Sequence, residues 1–318
     1  MRDGERHPAI RRLLADPEVA AAFELLSNRL SGTELTSLLL EVARSRASET
    51  TVADVMRRYK NDRFVAPSTI DGATMHLVES IVLRAASSSF ETIVLAPLAP
   101  FGLHHALGGT PQNNVVTTMR LSEVAADPTS ALALEVAARR VQRQHDGQPA
   151  GQDRLAAVQR ITRAQHFAGP RSFAHFAVLA LVHAGRDQGN YGFEVHATMG
   201  MLDTMIDAVR STTAAPIHIR LTAFSRELAA SCSDMQAELS SADVTCDLWP
   251  ERTAGRGYYS NIGFKLDVEN ETGRVEVGDG GDVGWTQELV QNRKERLVTG
   301  GLSIDRLAMF IDDMQAAE

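Results

Sequence analysis

TGGLSIDRL, residues 299–307, places two adjacent glycines before a short apolar step, an acidic residue and an arginine. The simplest interpretation is a turn at Gly300 and Gly301, followed by a helix that begins near Asp305 and by a solvated Arg306. That interpretation asks no special chemistry of the arginine. The remaining sequence decides whether it is sufficient.

The size and charge of the chain limit the classes of protein to which it can belong. At 318 residues, with 44% hydrophobic and 23% charged residues, it has the composition of a globular protein with one large domain, or a large and a small one. The formal net charge is −8. This acidic balance argues against a broad surface for binding DNA or RNA.

Cysteine usage and hydropathy predict the compartment. The two cysteines, Cys232 and Cys246, lack the spacing of a metal site, so we expect two buried thiols in a reducing environment. The first residues lack the apolar core of a signal peptide, and no apolar run reaches 18 residues. We therefore expect a soluble, cytoplasmic protein with no membrane span.

Periodicity divides the chain into a helical and a mixed part. Apolar residues at helical spacing predict an N-terminal helical subdomain over residues 1–66. Further helices are predicted at 68–89, 130–144 and 193–211. Segments rich in β-branched residues predict strands at 91–99, 113–121, 159–167, 173–185, 215–224, 242–250, 258–268 and 273–278. Residues 67–318 should therefore form an α+β domain with a mixed, mostly antiparallel sheet flanked by helices.

Common nucleotide and metal signatures are missing. There is no P-loop pattern, GDGGDVG at 278–284 lies in the wrong context for a dinucleotide fingerprint, and no metal site is predicted. What remains is a set of polar residues at predicted strand positions, namely Arg120, Glu123, Arg163, Gln165, Arg171, Arg256, Tyr258, Tyr259 and Arg306. Arginines on one sheet face would form a phosphate-binding floor, whereas each alone could equally be a solvated or salt-bridged surface residue.

The order of these elements, from about Pro67 onward, resembles the catalytic core of class II aminoacyl-tRNA synthetases. It is nearest to histidyl-tRNA synthetase and to its paralogue, the regulatory subunit of ATP phosphoribosyltransferase. The predicted helix at 68–89 followed by FETIVLAPLA is similar to the family's first motif, a dimer-forming helix and a strand that ends in proline. MRLSEVAADPTSALALEVAARR, 119–140, resembles the segment that handles the amino acid, with Arg120, Glu123 and Thr129 as its members.

RITRAQHFAGPRSFAHFAVLALVHAG, 160–185, is similar to the second motif, in which two antiparallel strands flank a loop. The resemblance implies that Arg163 contacts the α-phosphate of ATP and that Arg171 is the loop residue. Gln165 stands where the family has a glutamate that helps to hold Mg²⁺ and ATP. A protein of this family would use ATP and Mg²⁺, and Gln165 puts the metal in question here.

Three further segments complete the implied site. GRGYYSNIGF, 255–264, resembles the tyrosine-bearing segment of the histidine site, with Tyr258 and Tyr259 as lining residues and Arg256 as the preceding catalytic arginine after a two-residue gap. GDGGDVGW, 278–285, resembles the glycine-rich segment beside the amino-acid pocket, which places Gly281 there. TGGLSIDRL resembles the third motif, in which glycines such as Gly301 let the backbone approach the nucleotide and Arg306 stacks on adenine.

The resemblance implies a homodimeric enzyme that activates an amino acid or similar carboxylate with ATP as an acyl-adenylate. No C-terminal anticodon-binding domain is expected, so the acceptor should not be a full tRNA. The alternative is a non-catalytic, amino-acid-binding module like the regulatory paralogue. The amide at Gln165 favours this alternative. A third possibility is a scaffold that serves only as a subunit of a larger assembly.

Overall fold

The computed structural model of the chain describes residues 7–165, 173–271 and 273–311. These residues form two compact units that divide between Asp62 and Arg63, with residues 117–122 belonging to the first. We call the first the helical unit and the second the sheet unit.

The helical unit consists of short helices with well-formed ends: α1 (Pro8–Leu13), α2 (Pro17–Glu24), a π-helical turn (Leu25–Arg29), α3 (Gly32–Ser48) and α4 (Val52–Asn61). Ser31 and Glu34 form a capping box at the start of α3, because each side chain binds the backbone N–H of the other. Thr51 and Asp54 do the same for α4. None of the described residues in these four helices is buried.

The sheet unit is built on eight strands in the order β1-β4-β5-β10-β9-β8-β6-β7. Their bounds are β1 (Glu91–Thr92), β4 (Asp153–Thr162), β5 (His175–Arg186), β6 (Ile217–Ala223), β7 (Val244–Leu248), β8 (Ile262–Asn270), β9 (Gly273–Val283) and β10 (Glu295–Ser303), while β2 (Leu98–Pro100) and β3 (Ser122–Val124) pair separately. Among the described pairs of the eight-stranded sheet, β1–β4 and β6–β7 run parallel and the others antiparallel. The predicted α+β class with a mixed, mostly antiparallel sheet is confirmed.

Helices cover the two faces of this sheet unequally: α5 (Gly72–Ala86), α6 (Leu103–Gly108), α7 (Pro128–His145), α8 (Gly192–Arg210), α9 (Ala229–Leu239), α10 (Trp285–Val290) and α11 (Ile304–Leu307). The larger apolar cluster joins α5, α8, α9 and α11 to one face. The smaller cluster joins α7 and Trp285 of α10 to the other face. The second face is covered only in part, and the main cavity described below opens there.

The paired glycines of TGGLSIDRL lie in a strand, so the interpretation as a turn is wrong. In β10, Gly300 stands opposite Gly280 of β9. A Cβ on Gly300 would lie 2.5 Å from the sulfur of Met201, and one on Gly280 would lie 2.2 Å from Cζ of Phe264. The core side chains therefore pack directly on the backbone of the two central strands. The predicted helix does follow, beginning at Ile304.

Two predicted strands are largely wrong. The segment 113–121 contains a 3₁₀ turn and irregular chain, and residues from 117 onward belong to the helical unit, with Leu121 at φ 53°. The segment 91–99 supplies only the two-residue β1 and the start of β2. β-Branched composition alone does not make a strand without a partner of matching register. No helix among the described residues is long and apolar enough to cross a membrane.

Gly280→Ala tests the close packing on β9. The added Cβ would overlap the ring of Phe264 and the backbone oxygen of Thr299, 2.6 Å away, so we expect a loss of about 1–3 kcal/mol in the free energy of unfolding. Gly72→Ala at the start of α5, where a Cβ meets nothing within 4 Å, is the matched control and should change it by about 0.5 kcal/mol or less. Urea denaturation measures both, and equal stabilities would contradict the packing described.

Candidate functional site

A cavity of about 710 Å³ opens within the sheet unit, between the start of α7 and the exposed face of β5, β9 and β10. It brings together residues that are distant in the sequence. The sequence-predicted residues that line it are Thr129, Arg163, Gln165, Tyr258, Tyr259, Gly301 and Arg306. Arg163, which directly follows β4, and Arg306, in α11, both line the cavity, although neither lies within a strand.

Arg163 and Arg306 enter the cavity without a carboxylate partner. Arg163 donates from Nε to the carbonyl oxygen of Ala126 at 3.0 Å, and its guanidinium lies 5.4 Å from the ring centroid of Phe176. Arg306 donates from Nη1 to the carbonyl oxygen of Glu276. Neither forms a salt bridge within the described part of the chain. Their remaining N–H groups are therefore available to an anion.

A third guanidinium, which sequence reasoning missed, belongs to Arg252. Its side chain is only 1% exposed, and it stands among the rings of Phe224, Trp249 and Tyr259 at 5.7–5.8 Å. Nε donates to the carbonyl oxygen of Ala254, Nη2 lies 3.5 Å from Asp279, and Nη1 has no hydrogen-bond partner. A buried guanidinium with an unused donor is costly unless a ligand completes it.

The paired tyrosines contact two carboxylates of the same cavity. The hydroxyl of Tyr258 donates to Asp127 at 3.2 Å, and that of Tyr259 donates to Asp279 at 2.6 Å. Burial first, and then the adjacent carboxylates, raise the pKa of both phenols well above their ordinary value. Both tyrosines therefore act as neutral hydrogen-bond donors. They hold the two carboxylates toward the cavity.

Lys265 affects whether the carboxylates of the cavity can bind a metal ion. Its ammonium lies 2.5 Å from Glu276 and 3.8 Å from Asp279. A Mg²⁺ bound by these carboxylates would have to displace it, and Gln165 supplies an amide instead of a third carboxylate. Among the residues that the structure describes, no group of three or more His, Cys, Asp or Glu side chains could hold a metal. These residues do not fit the magnesium site that the resemblance implied.

Glu123 stabilises the buried structure through hydrogen bonds and does not line the main cavity. It is fully buried and accepts hydrogen bonds from the backbone N–H groups of Gly102 and His104, from the imidazole of His104 and from the amide of Gln112. The assignment of Glu123 to a substrate ammonium is therefore corrected, because its oxygens already bind four donors. The carboxylates that do reach the cavity are Asp127, Glu276 and Asp279.

Three other sequence-predicted residues, all described, do not line the cavity, and a fourth cannot be placed. Gly281 lies beneath the ring of Tyr259, where a Cβ would approach that ring to 2.6 Å. Arg256 is exposed, with its guanidinium 5.4 Å from the ring centroid of Phe224, so the buried arginine of this segment is Arg252. Arg120 is exposed in the helical unit, and Arg171 lies outside the described residues.

A weak signal for the missed residues existed in the sequence. Arg252 precedes Tyr258 by six residues, and the two glycines between them, Gly255 and Gly257, indicate a turn. Lys265 alternates with apolar neighbours in IGFKLDV, so its polar side chain on a buried strand already indicated a partner. Neither signal identifies the side of the sheet on which the cavity lies.

Glu123→Gln tests the structural assignment. Removal of the charge weakens four buried hydrogen bonds, so we expect a loss of about 3 kcal/mol in the free energy of unfolding. Glu91→Gln, on an exposed carboxylate paired with Arg139, is the control and should cost about 1 kcal/mol or less. Chemical denaturation at neutral pH measures both, and a cost for Glu123→Gln no larger than the control would contradict the assignment.

The pH dependence of the same variant has a defined sign. Burial alone raises the pKa of Glu123, but the hydrogen bonds from Gln112, Gly102 and His104 outweigh it and hold the pKa below its ordinary value. Stability gained in this way is present above the unfolded pKa of about 4.3 and is lost as the pH falls through the folded pKa. The difference between the wild type and Glu123→Gln should therefore shrink in acid.

Comparison with known proteins supports the fold. No protein-family model and no curated protein matches the chain significantly. Among solved structures, the chain is similar to an ATP phosphoribosyltransferase regulatory subunit/histidyl-tRNA synthetase from Bacillus halodurans, at a TM-score of 0.57 and 12% identity over 77% of this chain and 81% of that one.

Two further solved structures have a similar fold. Apo histidyl-tRNA synthetase of S. aureus aligns at a TM-score of 0.59 and 13% identity, over 78% of this chain and 69% of that one. A histidine–tRNA ligase subunit from Alicyclobacillus acidocaldarius aligns at 0.56 and 11% identity, over 79% and 97%. At such identities the likeness concerns the fold alone. The chain has the class II aminoacyl-tRNA synthetase-like fold that its motif order predicted.

Proposed function

We propose that the main cavity binds ATP together with a small carboxylic acid and joins them as an acyl-adenylate. The observation that carries the proposal is the pair of guanidiniums, Arg163 and Arg306, that face the cavity without a carboxylate partner within the described residues. Arg252 adds a buried guanidinium with an unused donor. Planar N–H forks of this kind match phosphate oxygens, and a volume of about 710 Å³ is enough for a nucleotide and a small acid.

The chemical step in this proposal is an in-line displacement at the α-phosphorus. A carboxylate oxygen of the substrate forms a bond to that phosphorus, the bond to the bridging oxygen breaks, and pyrophosphate leaves with the electron pair. No proton moves, so the protein contributes position and charge stabilisation. Arg163 is the group that would neutralise charge on the α-phosphoryl oxygens, and Arg306 would stack on the base.

Two carboxylates of the same cavity favour a substrate that also carries a cationic or hydrogen-bonding group. Asp127 and Asp279 are held there by Tyr258 and Tyr259. A carboxylate held by a neutral phenol keeps acceptor capacity for an ammonium. An amino acid meets both requirements, since its carboxylate would attack the α-phosphorus and its ammonium would pair with these carboxylates. The acceptor that takes the acyl group would be an amine, thiol or hydroxyl.

A second candidate, a non-catalytic amino-acid-binding subunit, has its own support. Lys265 neutralises Glu276 and Asp279 inside the cavity, and Gln165 is an amide where a metal-binding acid would assist ATP. Such a cavity could retain amino-acid binding without adenylation. One of the similar structures carries the name of an ATP phosphoribosyltransferase regulatory subunit, which fits this candidate.

Pyrophosphate exchange tests the enzymatic proposal. With ATP, Mg²⁺ and each of the common amino acids in turn, we expect exchange of labelled pyrophosphate into ATP with one of them. Arg163→Ala should lower the rate about 100-fold or more, because it removes the charge that stabilises the transition state. Arg210→Ala, on a surface arginine paired with Asp243 away from the cavity, is the matched control and should leave the rate unchanged. Absence of exchange across the whole panel would contradict the enzyme.

Thermal unfolding separates the two candidates. A ligand present at 100 times its dissociation constant stabilises a protein by about 2.7 kcal/mol. Stabilisation by ATP, lost in Arg306→Ala, supports the enzyme. Stabilisation by an amino acid alone, unchanged in Arg306→Ala and without any exchange activity, supports the binding subunit.

A further inference from the structure

A second cavity of about 450 Å³ lies elsewhere in the sheet unit, at the end of β5 and the start of α8. Its walls also include the ends of β9 and α10 and the start of β10. Three carboxylates, Asp187, Glu194 and Asp282, line it, and Arg296 is its lining cation. The described lining residues therefore carry an excess of negative charge when all are ionised.

Arg296 pairs with only one of the two carboxylate oxygens of Glu194. Its Nε lies 2.8 Å from Oε1 of Glu194, and its Nη2 lies 2.9 Å from Asp187. The second oxygen of Glu194, Oε2, has no hydrogen-bond partner although the residue is only 3% exposed. A buried carboxylate oxygen without a donor is costly, and the cost is removed when a ligand brings one.

Asp282 is fixed by its neighbours and adds a second buried charge. It accepts hydrogen bonds from the backbone N–H groups of Asn261 and Ile262 and from the amide of Asn261. Burial raises the pKa of both Asp282 and Glu194 above the ordinary carboxyl values. A cation beside them would offset that effect.

The remaining lining groups select the kind of cation. The side-chain amides of Asn190 and Gln287 form no hydrogen bonds with other described residues and can contact a ligand. A cavity of 450 Å³ is far larger than a single ion, and it falls within the usual size of a site for a small organic molecule. The unpartnered, buried Oε2 of Glu194 calls for an N–H donor.

We propose that this second cavity binds a small organic cation with primary ammonium groups, held by Glu194 and Asp282 and contacted by the amides of Asn190 and Gln287. The proposal is independent of what the main cavity binds. The ammonium N–H groups would supply the donor that Glu194 lacks, and the positive charge would balance the acidic lining. A diamine, with two positive charges, matches the net charge of −2 that three carboxylates and one guanidinium give.

The two cavities share a wall. Tyr259 and Asp279 line the main cavity, whereas Asn261 and Asp282, two and three residues farther along the same segments, line the second. The backbone N–H of Ser260 donates to the carbonyl oxygen of Asp282 at 2.9 Å and ties the segments together.

Isothermal titration calorimetry with 1,4-diaminobutane tests the proposal on the full chain at fixed ionic strength. We expect one site per chain, and an affinity at least about tenfold lower for the permethylated analogue, which has the same charge but no N–H donor. Glu194→Gln should lower the affinity by about tenfold or more for the same reason. Asp203→Asn, an exposed carboxylate on the same helix, is the matched control and should leave the affinity unchanged.

Gln287→Lys provides a second variant at a half-buried position of α10, in case Glu194→Gln does not fold. The introduced ammonium would compete for the cavity and should abolish binding of the diamine. Absence of a binding signal in the folded wild type up to about 10 mM diamine would overturn the proposal, since that lies beyond the range of ordinary specific sites. Equal binding of the permethylated analogue, or undiminished binding in Gln287→Lys, would overturn it as well.

Discussion

The close approach of side chains to the backbone of β9 and β10 is the constraint on which the rest of the sheet unit depends. Gly280 and Gly300 stand opposite each other, so Phe264 and Met201 rest on main chain where any Cβ would collide. On the other face, the absence of a side chain at Gly281 lets Tyr259 lie against the strand. The glycines thus fix both the depth of the core and the floor of the main cavity.

The glycine-lined floor also determines which charged groups can reach the main cavity. A strand without bulky side chains leaves the surface open to groups that arrive from its ends and from neighbouring segments: Arg306 from α11, Arg163 from the end of β4, and Arg252 from the loop before β8. Aromatic rings and carbonyl oxygens, rather than carboxylates, hold Arg163 and Arg306. Among the described residues no carboxylate neutralises their charge, while Lys265 neutralises the nearby acids.

The sequence predicted the fold class because strand patterning and motif order are properties of continuous segments. It also predicted Arg163, Tyr258, Tyr259 and Arg306 as cavity residues, since each belongs to a segment with a recognisable local pattern. Residues whose position depends on a loop path were less accessible: a turn with Gly255 and Gly257 at positive φ buries Arg252 and leaves Arg256 in solvent. The second cavity could not be predicted from the sequence, because its carboxylates come from segments nearly a hundred residues apart.

A crystal structure of the protein grown with ATP tests the central claim most directly, because that claim concerns where phosphate binds. We predict a nucleotide in the main cavity with its phosphates in hydrogen-bond contact with Arg163 and its base against the guanidinium of Arg306. An empty main cavity at saturating ATP, or a nucleotide bound elsewhere on the chain, would contradict the account.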